Sequence, residues 1–181
     1  MAALNPKEFI AQVFVLELGM IVPAHPYVAF MVMSIGLEFL GKCLDSTSND
    51  WNRPSQSSTK TFESAFKKLS SLNKYGPYLQ QYKLYDSLRC GLAHSASPKY
   101  KITLSRVGEL SHLEVTSGTF GNRLNLQCEA FYADFKLACE EVINMTFSPT
   151  DKMDSGFLWI PGANLNQTTN IQTGVNESFN R

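Results

Sequence analysis

The chain has 181 residues, enough for one domain with a sizeable core and a tail. Lysine plus arginine and aspartate plus glutamate both number 16, so the formal net charge is zero. That excludes the overall basic surplus usual in nucleic-acid binders, though not a local basic site.

In chain order, Asn5 as N-cap and Pro6 at the first helical position open a helix to about Met20, stopping at Val22-Pro23. A second helix, about Pro26 to Leu44, is apolar nearly all round. Its polar positions Ser34, Glu38, Gly41 and Asp45 form one narrow line, the pattern of a helix at the centre of a bundle. The apolar runs Phe9–Val22 and Tyr27–Leu40 are shorter than the roughly 20 residues a bilayer needs. Each contains a glutamate (Glu17, Glu38), and Pro23 and Pro26 separate them, so they read as core helices and no membrane partner is expected. An acidic opening, Asn5-Pro6-Lys7-Glu8, does not suit a signal peptide.

Asp45 to Thr59 reads as a polar loop around Trp51 and Pro54. A third helix from Thr59 carries Phe62, Ala65, Phe66, Leu69 and Leu72 at helical spacing. Gly76 suits a left-handed C-cap and Pro77 the first turn of a fourth helix, antiparallel to the third. That fourth helix, Tyr78 to His94, has a stripe at Tyr78, Tyr82, Tyr85, Arg89 and Leu92. A guanidinium thus occupies a position patterned for a hydrophobe, and a buried cation needs a partner or a ligand. Beyond Pro98 the period becomes alternating: 100–104 and 112–115 read as a hairpin around Gly108, within about 99–117. The last helix, about Leu124 to Met145, shows Leu124, Cys128, Phe131, Phe135, Ala138, Val142 and Met145 as a stripe. The expected fold is therefore all-α: an up-and-down bundle of about five helices over 1–147 with a small β-hairpin inserted before the last helix. Residues 148–181 read as a polar tail whose apolar cluster, Phe157 to Pro161, docks on the bundle or on a second subunit.

Cys43, Cys90, Cys128 and Cys139 contain no CxxC pair, and three lie on apolar helix faces, which suits buried thiols in a reducing cytoplasm. The N-x-S/T triplets at Asn144, Asn166 and Asn176 are then chance matches. His25, His112 and the cysteines lack zinc-type spacing, so neither metal nor cofactor is expected. His25 and His112 read as surface residues, and Lys67, Lys68, Lys99, Lys101, Arg106 and Arg123 either as a basic route toward His94 or as a scattered solvated surface.

Arg89-Cys90-Gly91-Leu92-Ala93-His94, within LYDSLRCGLAHSASP, resembles the motif of the HEPN superfamily, helical bundles whose active members are RNases. MSIGLEFLGKCLD, with Glu38 four residues before Lys42, is similar to that family's early helix. Arg106 and His112 meet the same spacing but flank Gly108 in the expected hairpin, so helical context carries the resemblance. The resemblance implies a metal-independent endoribonuclease acting on RNA as a homodimer, in a defence, toxin–antitoxin or stress role. A neutralising protein or nucleotidyltransferase-type protein would be its partner. Arg89 would stabilise the phosphate and His94 move a proton, leaving a cyclic phosphate. Glu38, Tyr85 and Asp86 would support them, with Glu38 orienting Arg89 or else pairing with Lys42. Cys90 departs from the polar residue that often follows the family's arginine. The alternative is an inactive helical binding module in which Glu38 and Arg89 form a structural ion pair. Five residues along an ideal helix turn roughly 140°, so Arg89 and His94 can meet only if the helix loosens near Gly91 or a second subunit supplies the partner group.

Overall fold

The computed structural model describes residues 3–4, 6–47, 55–99, 101–119, 121–146 and 158–159. The expected Asn5 cap, the Trp51–Pro54 part of the loop, and the tail apart from two residues lie outside them. A short strand β1 (Ala3–Leu4) leads into α1, a continuous helix over 6–24. Its middle, Ile10–Glu17, is wound as a π-helix, with the Leu18 N–H donating to the carbonyl of Val13 five residues back. The sequence gives a physical reason. Ile10, Phe14, Leu18 and Val22 repeat every four residues, and on a strict α-helix that repeat drifts around the axis. The wider turns offset the drift, and all four side chains are buried.

Helix α2 (Pro26–Cys43) is central, as its all-round apolarity predicts; Met33, Leu37 and Leu40 are fully buried. It is also the one helix among the described residues long and apolar enough, by length and composition, to cross a membrane, and 56% of that window is buried inside the fold. Helix α3 (Ser58–Lys68), capped by Ser57, packs so closely on α2 that a Cβ at Gly41 would lie 1.9 Å from the carbonyl oxygen of Thr61. The loop between these helices is gathered at its two ends by Asp45, which accepts hydrogen bonds from the backbone and hydroxyls of Thr47 and Ser55.

The third helix is shorter than its stripe suggests. Leu69 is extended, and a 3₁₀ turn, Ser70–Tyr75, carries Leu72 into the core. Gly76 is right-handed (φ −48°), not the left-handed cap expected of it. The left-handed residue comes later, at Lys83 (φ 48°), and divides the expected fourth helix into α4 (Tyr78–Gln81) and α5 (residues 85–95). The four tyrosine and arginine positions therefore do not share one unbroken helix. Phe62 packs edge-on against Tyr85, and Gln80 bonds Glu63, so α3 lies beside this broken helix.

The all-α expectation is overturned by a three-stranded mixed sheet of order β2 (Ile102–Ser105), β4 (Gly121–Gln127), β3 (Val115–Gly118). The two strands expected to form a hairpin never pair. Gly108 does turn the chain (φ 90°), but β4 lies between them, parallel to β2 and antiparallel to β3. The β3–β4 turn closes at Gly118 and Gly121, where Gly121 holds φ 98°, a value that glycine alone adopts freely. Leu124, Asn125 and Leu126 are all fully buried, the mark of a central strand covered on both faces. Leu124 fits a four-residue repeat with Cys128, which places it in the helix. It equally fits alternation with Leu126 and Cys128, and the backbone takes the second option. Helix α6 (Cys128–Asn144) starts only where the alternation ends. In the tail, Leu158 and Trp159 form β5, antiparallel to β1, which brings this part of the expected docking segment back to the start of the chain.

Replacing Gly41 with alanine drives a methyl group into the α3 backbone. A loss of about 3 kcal/mol is expected, at the upper end of overpacking costs, and chemical denaturation measures it.

Candidate functional site

The fold places Arg89 against Glu38 and beside His94. Arg89 Nε lies 2.7 Å from Glu38 Oε2, with the glutamate side chain 9% and the arginine 19% exposed. The Nε–H is not aligned with that oxygen as a hydrogen bond, and neither atom has a hydrogen-bond partner among the described residues, so the contact is chiefly Coulombic. Lys42 does not displace Arg89 from Glu38. On its outer side the guanidinium has Nη1 3.3 Å from Nε2 of the exposed His94. A guanidinium can only donate, so in this contact Nε2 accepts and a neutral ring carries its proton on Nδ1.

The helix itself solves the five-residue problem. Tyr85–Cys90 is π-wound, and the Gly91 N–H donates to the carbonyl of Asp86, five residues back. Widening the turn brings residues 89 and 94 to one side of a single chain. Gly91 is required next to that widening, because the following segment folds back over it. A Cβ there would stand 2.6 Å from the Ser97 carbonyl oxygen and 3.0 Å from the Lys99 nitrogen. The strap is held by Ser97 N–H to the Gly91 carbonyl, Lys99 N–H to the Ser87 carbonyl, and an ion pair between Lys99 and Asp86. Ala96 takes the left-handed conformation that turns the chain into the strap. The hydroxyl of Tyr27, at the start of α2, donates to its carbonyl.

No protein-family model, curated protein or solved structure matches the chain.

Among the expected supporting groups, Tyr85 lies under Arg89, with the guanidinium carbon 5.8 Å from the ring centroid. Burial raises the pKa of its phenol and the adjacent Cys90 thiol adds to this, while Arg89 and the Ser58 hydroxyl act in the opposite direction. Asp86 is exposed and engaged by Lys99, so it borders the site without reaching its centre. Tyr82 is buried in the core and Tyr78 half-buried beside it. The basic residues expected to line a route are mostly committed: Lys67 to Glu63, Lys68 to the Leu44 carbonyl, Lys101 to the Gln81 carbonyl, and Arg106 to the Pro23 carbonyl and Glu129. His25 is exposed, as expected. All four cysteines are free, three of them buried. Among the described residues no group of three histidine, cysteine, aspartate or glutamate side chains is placed to hold a metal ion.

His112 departs from expectation. It is half-buried, packed against Tyr75 and Phe131, in a turn that precedes β3. The Gln127 N–H donates to its Nδ1, so the neutral ring carries its proton on Nε2 and donates to the Tyr75 hydroxyl at 2.7 Å. Tyr75, fully buried, donates to Asp134 Oδ2 at 2.6 Å, and Lys74 donates to Oδ1 at 2.7 Å. Burial and the nearby Asp134 raise the Tyr75 pKa, so the phenol stays protonated. This network was not legible in the sequence, because its members are separated by up to 60 residues and share no spacing motif.

Two outcomes follow. Glu38→Ala leaves Arg89 without its anion and should cost about 3 kcal/mol, the low end for a broken buried pair because Arg89 reaches solvent; denaturant melts decide. Burial lowers the His112 pKa below 6.5, with Asp134 opposing and Lys74 reinforcing the shift. A histidine held neutral in the fold takes up its proton more readily when unfolded, so its contribution to stability is present above pH 6.5 and lost as pH falls below that value. Between about pH 6.5 and 5 the wild type should lose stability along a slope that His112→Gln lacks, measured by melts across that range.

Proposed function

We propose that the chain is a metal-independent endoribonuclease of HEPN type that acts as a homodimer. The observation that carries this reading is a permanent cation and a solvent-facing imidazole held 3.3 Å apart on a locally widened helix, with the cation anchored from behind by Glu38. The arrangement suits a phosphodiester whose own 2′-hydroxyl is the nucleophile. Once substrate draws the Arg89 guanidinium onto its phosphate, His94 Nε2 is released from that contact and takes the hydroxyl proton, the oxygen attacks phosphorus, and the bond to the 5′-oxygen breaks to leave a 2′,3′-cyclic phosphate. Arg89 offers its outer nitrogens to the phosphorane charge, while Glu38 keeps the guanidinium from swinging away. The His94 of a second copy would return a proton to the leaving oxygen.

Dimerisation is supported by a run of exposed apolar side chains on α2. Val28 and Ile35 are each 47% exposed and Tyr27 43%, and Tyr27 reaches the turn just past His94. Such a face suits a subunit contact beside the site. A role in defence, toxin–antitoxin or stress control, with a neutralising or nucleotidyltransferase-type partner, belongs to the same reading.

The Glu38–Arg89 pair also favours a second reading, a non-enzymatic helical binding module in which that pair serves stability alone. Cleavage separates the two. The purified chain should cut single-stranded RNA in excess chelator, and Arg89→Ala and His94→Ala should each lower the rate at least about 100-fold. His94→Ala should leave the melting temperature unchanged, since the ring is exposed. Activity indifferent to both substitutions removes the enzyme reading. Ile35→Glu should yield a folded monomer with the same loss of cleavage, read by sedimentation and by the RNA assay.

A further inference from the structure

A pocket of about 270 Å³ opens beside the site, lined by Thr59, Glu63, Leu79, Gln80, Lys83, Tyr85 and Asp86. It exists because the expected fourth helix is broken. Lys83, left-handed at φ 48°, separates α4 from α5, and the gap is walled on its far side by α3. A bulky residue held at positive φ is costly and tends to persist where it serves a site. Tyr85 is common to the pocket and to the Arg89 contact, so whatever fills the pocket lies one side chain from the guanidinium.

We propose that this pocket is a guanine-selective base subsite for single-stranded RNA. The inference rests on the nuclease reading above and names the substrate feature that the same site would select. The volume is below the roughly 300 Å³ at which pockets begin to hold drug-sized ligands, and it suits a single flat ring system. Leu79 supplies an apolar floor (5% exposed) and Tyr85 an aromatic wall, the surfaces on which unstacked bases rest. The polar lining then discriminates between bases. Glu63 is held in place by Lys67 at 2.8 Å and by Gln80 at 2.5 Å. A carboxylate has about four acceptor positions, so two remain open after those bonds. Asp86 borders the pocket with one oxygen taken by Lys99, and Lys83 adds a cationic donor. Guanine presents two adjacent donors, N1–H and N2–H₂, that match a carboxylate, and acceptors O6 and N7 that match an ammonium group. Adenine places an acceptor where guanine has its N1–H and has no O6. Cytosine and uracil each lack the paired donors.

The test is titration of the nucleosides guanosine, adenosine, cytidine and uridine into isotope-labelled full-length chain, followed by amide chemical shifts. With no phosphate present, binding reports the pocket alone. Guanosine should shift the amides of residues 79–86 and bind at least fivefold more tightly than the other three. Glu63→Gln, which keeps the side-chain shape and removes the charge, should erase that preference while the amide spectrum of the free chain stays that of the folded wild type. Arg89→Ala should leave guanosine binding intact. Equal binding of all four nucleosides, no shifts in residues 79–86, or a preference that survives Glu63→Gln overturns the proposal. If guanosine binds and RNA is not cut, the nuclease reading falls and the pocket stands. If RNA is cut next to every base alike and guanosine does not bind, the pocket falls and the nuclease reading stands.

Discussion

Arg89 is held between a carboxylate on its inner side and an imidazole on its outer side, and much of the surrounding architecture serves that placement. Glu38 sits on the largely buried helix α2, so the anion is supplied by an element that cannot shift without disturbing the core. Bringing a guanidinium to such a carboxylate removes both from much of their water, and their mutual attraction offsets that desolvation only at close range. The 2.7 Å separation meets that condition. The arginine keeps about a fifth of its side chain exposed, and its Nη1 lies beside the exposed His94. One end of the group is therefore structural and the other is available.

The second constraint is helix winding. Among the described residues two stretches are π-wound, one in α1 and one in α5, and each answers a spacing that 3.6 residues per turn does not fit. In α1 the demand is a strict four-residue apolar repeat facing the core. In α5 it is an arginine and a histidine five residues apart on the same side. The cost of a wider turn is met locally in α5 by the returning strap of residues 97–99, which packs on Gly91 and ties down the Ser87 carbonyl. The residues of the motif are thus linked through the backbone: the glycine admits the strap, and the strap lies over the helix beside the widened turn.

The sheet and the Tyr75–His112–Asp134 network join the C-terminal half to the 3₁₀ turn before α4. His112 bonds the backbone at Gln127, where β4 gives way to α6, and Tyr75 leads directly into the segment carrying the pocket. Packing there sets where α4 begins, and the left-handed Lys83 sets where α5 resumes.

The sequence by itself determined the elements whose signal is local. The central apolar helix near residues 26–43, the core faces of α3 and α6, the buried thiols, and the isolation of an arginine on an apolar stripe all follow from periodicity and burial cost. For Glu38 the sequence left two partners open, Arg89 and Lys42, and the fold sets Arg89 against it. Tertiary structure alone decided three things. It chose strand over helix for residues 124–127, where both repeats fit and only burial on two faces separates them. It broke the tyrosine-bearing helix at Lys83, a residue with no local reason to be left-handed. It widened α5 so that Arg89 and His94 meet within one chain, because a hydrogen-bond register of five instead of four goes with the folding back of residues 97–99 over Gly91, and that contact is not encoded in the spacing of the motif.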